Sequence, residues 1–176
     1  MKFKCILTLS LLLLLSKNIV LASPFSAENL NNEPLSHISP IGELRDIFMI
    51  ASTYTDLQRK RKLAELKGKV VQWVLPVHEV REEGDNCYEI ILSPSLEAIA
   101  ETMLDSEKRK LLTVGVTAYV EPRTEGELKF IESLRTGEFV KIKGRLTGQA
   151  NPLSRSLIMF PATFLVSEPS SEGNSK

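Results

Sequence analysis

Histidine, cysteine and tryptophan are scarce in this chain, with two, two and one residues respectively. His37 and His78 are too few for a histidine-based metal site, and a Ser-His-Asp triad has almost no material to draw on. Cys5 and Cys87 lack the paired spacing of a zinc site, and no glycine-rich phosphate loop is present. No metal or cofactor is therefore expected. Formal net charge is zero, which gives no general electrostatic pull toward nucleic acid or anionic membranes. Long apolar runs are also missing. The single run, from Cys5 to Leu15, is interrupted by Thr8 and Ser10 and followed by Lys17, and a spanning helix needs about 20 apolar residues.

What that run does fit is an export signal. Lys2 and Lys4 make a positive start, the apolar stretch follows, and Val20 and Ala22 supply the small-residue pattern for cleavage after Ala22. A periplasmic or secreted protein with no transmembrane span after cleavage is expected. Cys5 opens the apolar run instead of following it, which is the wrong place for a lipoprotein cysteine. Cleavage removes Lys2, Lys4 and Lys17, so the 22 acidic side chains outnumber the remaining basic ones by three. Cys87 is then alone in an oxidising space. It reads as a buried strand residue, with an intermolecular disulfide as the alternative.

Residues 23–38 are polar and aperiodic and are expected to form a flexible leader. Ser39 and Pro40 suit an N-cap and first helical residue. From there to residue 66, Leu44, Ile47, Phe48, Ala51, Tyr54 and Leu57 recur at intervals of three and four, which predicts one amphipathic helix over 39–66. Gly68 stops it. The period then becomes extended, and strands are expected over residues 69–80, 87–92, 111–120, 138–147 and 156–166. Pro76 implies a bend or bulge in the first of these. Ser93 and Pro94 open a helical insertion with Leu96, Ile99, Ala100, Met103 and Leu104 on its stripe. Thr124 and Glu127 have capping-box spacing at the start of a further helix, which Gly137 terminates. Residues 167–176 read as a disordered tail.

The order from residue 69 onward is strand, strand, strand, helix, strand, strand. It predicts a mainly β domain over 67–166: a five-stranded OB-type Greek-key barrel with a capping helix, a helical insertion and an N-terminal amphipathic helix. The stretches LKGKVVQWV (residues 66–74) and EFVKIKGRLTG (residues 138–148) each end an apolar alternation in a glycine-containing turn. In this the chain resembles exported bacterial OB-fold domains of the tRNA-anticodon-binding-like family. The resemblance covers residues 67–166, and it implies a binding module without naming a ligand.

On an OB barrel, basic side chains and aromatic platforms bind single strands. Lys141, Lys143 and Arg145 alternate on strand four, while Trp73, Tyr88 and Tyr119 lie on strands one to three, and these six form the candidate ligand face. Tyr54, Leu57 and Leu63 are the candidate partner-contact set on the N-terminal helix, whether that helix packs on the barrel or on another chain. An OB-type nuclease would need carboxylates grouped with arginines, and Glu79, Glu89 and Glu138 are not so grouped. The expected function is a non-enzymatic adaptor for another envelope or secreted protein. The alternative is a binder of single-stranded nucleic acid or oligosaccharide through the basic and aromatic face.

Overall fold

The structure is a computed structural model, and it describes residues 30–49, 52–84, 86–94 and 112–165. The expected export signal, the first part of the expected leader, most of the helical insertion expected from Ser93 to Lys110, the start of the third expected strand at Leu111, and the expected tail with the end of the last strand lie outside the described residues.

Five strands close into one barrel: β1 (Val70–Glu82), β2 (Tyr88–Leu92), β3 (Val116–Val120), β4 (Phe139–Ala150) and β5 (Leu157–Phe164). The order around the barrel is β1-β2-β3-β5-β4, and β4 pairs back onto β1. Every pairing is antiparallel except that of β3 with β5. This is the OB-type barrel that the element order implied. β1 can serve two neighbours because its first half, through Pro76, pairs with β4 and its second half, from Val77, pairs with β2. The change of partner falls beside a register shift between Val77 and Glu79, two residues past the proline that foretold a bend.

Side chains alternate across each strand, and the inward set is apolar. Val71, Trp73, Leu75 and Val77 from β1 meet Ile90 and Leu92, Val116, Ala118 and Val120, Val140, Ile142 and Leu146, and Leu157 and Met159. Gly144 occupies an inward position of β4 where a Cβ would lie 2.4 Å from the Met159 sulfur and 3.0 Å from the Pro161 carbonyl oxygen. Between β3 and β4, the helix Glu125–Ser133 begins at Thr124, whose hydroxyl accepts from the Glu127 amide. Its Ile131 is buried, and Phe130 stands edge-on to Phe164 with ring centroids 5.2 Å apart.

The N-terminal helix differs from the expected single element. It is two helices, α1 (Glu43–Phe48) and α2 (Asp56–Leu66), which makes the helix after β3 α3. Thr55 breaks the run, because its hydroxyl accepts from the Gln58 amide while the Gln58 side chain accepts from the Thr55 amide. That reciprocal capping box starts a new helix where an unbroken stripe had been read. The start also moves from Pro40 to Glu43. The Pro40 carbonyl is taken by the Val114 amide at 2.7 Å, which ties this segment to the approach of β3.

Residues 30–38, expected to be a flexible leader, pack against the barrel. Leu30 is fully buried, and the Ser36 amide donates to the Val70 carbonyl at 2.7 Å. Among the described residues, no helix is long and apolar enough to cross a membrane.

Candidate binding face

The outward face of the β1–β4 pair is a ladder of four rows: Val70 with Arg145, Gln72 with Lys143, Val74 with Lys141, and Pro76 with Phe139. It is polar at one end and apolar at the other. The polar end is covered. Lys143 is only 7% exposed although it points outward, and its ammonium donates to the carbonyls of Asn31 and Glu33, each at 3.3 Å. Arg145 forms an ion pair with the Glu33 carboxylate and donates to the Gly68 carbonyl at 3.1 Å. Residues 30–38 thus lie as a strap across the first two rows.

The apolar end is open. Phe139 is 68% exposed and Val74 is 54% exposed, with the Lys141 side chain in the same row as Val74. Beside them a cleft of about 240 Å³ is lined by Pro76, His78, Pro94, Leu112, Thr113 and Phe139. The Thr113 hydroxyl is buried there without a hydrogen-bond partner. Burying apolar surface of this kind against a partner contributes roughly 25 cal/mol per Å².

The six residues expected to make one ligand face are dispersed. Trp73 is 4% exposed and faces the barrel interior, and its indole N–H donates to the Ile38 carbonyl at 2.7 Å. It is a core residue rather than a stacking platform. Tyr88 is partly buried against the core at the rim of a second cleft, of about 470 Å³, with Glu79, Glu82, Glu132 and Ile131. Tyr119 points outward on β3, opposite Glu89 of β2. Lys141, Lys143 and Arg145 do share the outward parity of β4, but the strap occupies the last two. The candidate helix contacts also separate. Tyr54 and Leu63 pack against the core, and Leu57 is 58% exposed.

On the outer side of β1, β2 and β3, Glu79 and Glu89 are grouped around Arg81, contrary to the expectation that these carboxylates stand apart from arginines. Arg81 makes two hydrogen bonds to Glu79, at 2.8 and 2.5 Å, and lies 3.5 Å from Glu89, whose carboxylate accepts from the Tyr119 hydroxyl at 3.3 Å. Burial, together with the neighbouring Glu89 carboxylate, pushes the Tyr119 phenol up to about 12. The hydrogen bond from Arg81 holds Glu79 below its ordinary value, and the same bond raises Arg81. A phosphate-bearing strand would meet carboxylates on this side. Among the described residues, no group of three or more His, Cys, Asp or Glu side chains converges to hold a metal. Cys87 is buried next to β2 and is not a free thiol.

Two features escaped the sequence reading. Phe139 and Val74 follow from the same period of two that placed Lys141 and Trp73, since Phe139 shares parity with Lys141 and Val74 opposes the parity of Trp73. The strap left no such signal. Fold and site together define an OB-type barrel protein with a covered basic face and an open apolar one. No protein-family model matches the chain, and no curated protein or solved structure is significantly similar to it.

Proposed function

We propose that this protein is an exported, non-catalytic binding module that docks another protein of the cell envelope through the open end of the β1–β4 face. The exposed side chains of Phe139 and Val74 carry the reading. A large aromatic left two-thirds exposed beside an aliphatic side chain and a cleft is the composition of an interface core, with Lys141 as rim. The export signal read in residues 1–22 supports the location, and a kinship with exported tRNA-anticodon-binding-like domains would fit the same role. Nucleic acid and oligosaccharide are the weaker ligands. Trp73, Tyr88 and Tyr119 are buried or set among carboxylates, and two of the three strand-four cations are already engaged, which leaves Phe139 and Lys141 on this face as a single exposed aromatic beside a single open cation.

The test compares wild-type protein with Phe139→Glu as bait in an envelope extract of the cells that make it. At so exposed a position the substitution changes stability by less than about 0.5 kcal/mol. A species retained by wild type and reduced about tenfold or more with the variant, at unchanged thermal midpoint, is the expected result. Equal recovery with both baits contradicts the proposal.

A further inference from the structure

We infer that the polar end of the β1–β4 face is a docking site for a turn-forming peptide that bears a carboxylate, and that residues 30–38 occupy it as a ligand in cis, with the Glu33 amide donating to the Leu30 carbonyl at 3.3 Å and the Ile38 amide to the Ser36 carbonyl at 2.8 Å. The contacts are of the kind a bound peptide makes. The strap offers the Asn31 and Glu33 carbonyls to Lys143 on the outward face, the Ser36 amide to the Val70 carbonyl and the Ile38 carbonyl to the inward-facing Trp73 indole, while Leu30 is fully buried and Ile38 packs against the core. One side-chain charge is read, Glu33 by Arg145. Residues 33–39 have no helical or strand hydrogen-bonding pattern, and the turn bonds of Glu33 to Leu30 and Ile38 to Ser36 shape the strap together with its contacts to the barrel. Lys143 is the sign of a built site, because a lysine on an outward strand position normally extends into water. Here it is nearly buried, and carbonyl oxygens satisfy its ammonium.

Leu30 and Ile38 add apolar anchors to these polar contacts, so the site discriminates by sequence. The same segment of a second copy of this chain can therefore make the strap's contacts in its place. Tethering sets the terms of that exchange. A cis ligand acts at an effective concentration of about millimolar, and the affinity of any competitor is reduced by the fraction of molecules whose site is open. The site is continuous with the open apolar rows, so a partner docked on Phe139 and Val74 has its next contact at the strap.

The chain carries its own reporter, since Trp73 is its one tryptophan and donates to the strap. The experiment uses the purified protein, its Glu33→Lys and Glu33→Gln variants, and a fluorescein-labelled, end-capped peptide of residues 30–38. In Glu33→Lys the strap is repelled by Arg145 and Lys143. The Trp73 emission should then shift to the red and become several-fold more quenchable by acrylamide, while the far-ultraviolet circular dichroism is retained. The peptide should bind this variant about tenfold or more tighter than it binds wild type, and a peptide with lysine in place of glutamate should not bind. If Glu33→Lys does not fold, Glu33→Gln carries the test, with an expected tightening of about threefold. Exposure of Trp73 without peptide binding would make the strap a cover rather than a ligand and overturn the inference. Equal peptide affinity of wild type and variants, or an unchanged Trp73 signal, would overturn it too.

Discussion

Gly144 is the residue at which the barrel has least room. Its inward position puts a missing Cβ against the Met159 sulfur and the Pro161 carbonyl, and Met159 is itself fully buried. The thioether can turn aside, but the backbone oxygen cannot. Gly144→Ala should therefore cost about 1–3 kcal/mol in chemical denaturation, and a neutral result would mean that β4 and β5 are further apart than described. Tyr119 gives a second measurement at this scale. Its proton is held more tightly in the folded state than in the unfolded one, so its stabilising share is complete below about pH 10 and is lost as the pH rises through about 12. Burial also raises Tyr88, but an ultraviolet titration should find Tyr119 ionising last, a step absent in Tyr119→Phe and moved earlier in Glu89→Gln. The alternation in strand four located Lys141, Lys143 and Arg145 correctly on one face, because parity is local. It could not reveal that Lys143 is covered, because what covers it lies 110 and 112 residues away and presents only carbonyl oxygens.

Among the elements, helix starts were legible where polar side chains announce them. Thr124 and Glu127 marked α3, although Glu127 closes only half of the expected box. Its carboxylate accepts from the Arg123 amide at 2.6 Å and from the Arg123 guanidinium at 2.5 Å, rather than from the cap residue. These bonds, with that of the guanidinium foremost, hold Glu127 below its ordinary value. A carboxylate depressed in the folded state stabilises above its unfolded value of about 4.3, and that contribution is lost as the pH falls through the lower folded value. Glu127→Gln should lose less stability than wild type between about pH 5 and pH 3, as followed by thermal midpoint. Parallel acid profiles would show that the bond to Arg123 does not persist in solution. The break between α1 and α2 was readable and missed. Thr55 and Gln58 have capping-box spacing, but apolar residues spaced three and four apart on both sides of them mimic one continuous stripe. Packing then separates the two pieces: α1 buries Leu44, Ile47 and Phe48, whereas α2 keeps Leu57 in water.

The whole molecule follows from five strands and the helix between the third and fourth, since closing such a chain leaves β1 to bridge β4 and β2. That much was in the order of the periods. What the order of periods could not carry is which stretch of the outer surface stays open, because this depends on where an N-terminal segment without periodicity comes to rest. The strap closes the basic end of the β1–β4 face, Glu79 and Glu89 on the other side are engaged with Arg81, and Phe139 and Val74 remain. The central claim is that partners meet the barrel on the β1–β4 face. Its most direct measurement is photo-cross-linking in the cells that make the protein, with a photoreactive side chain at position 139 or 74 in one set of variants and at 119 in another. Discrete cross-linked species from 139 and 74 and none from 119 are predicted; cross-links from 119 with none from 139 or 74 would place the binding face on β2–β3 and contradict the account.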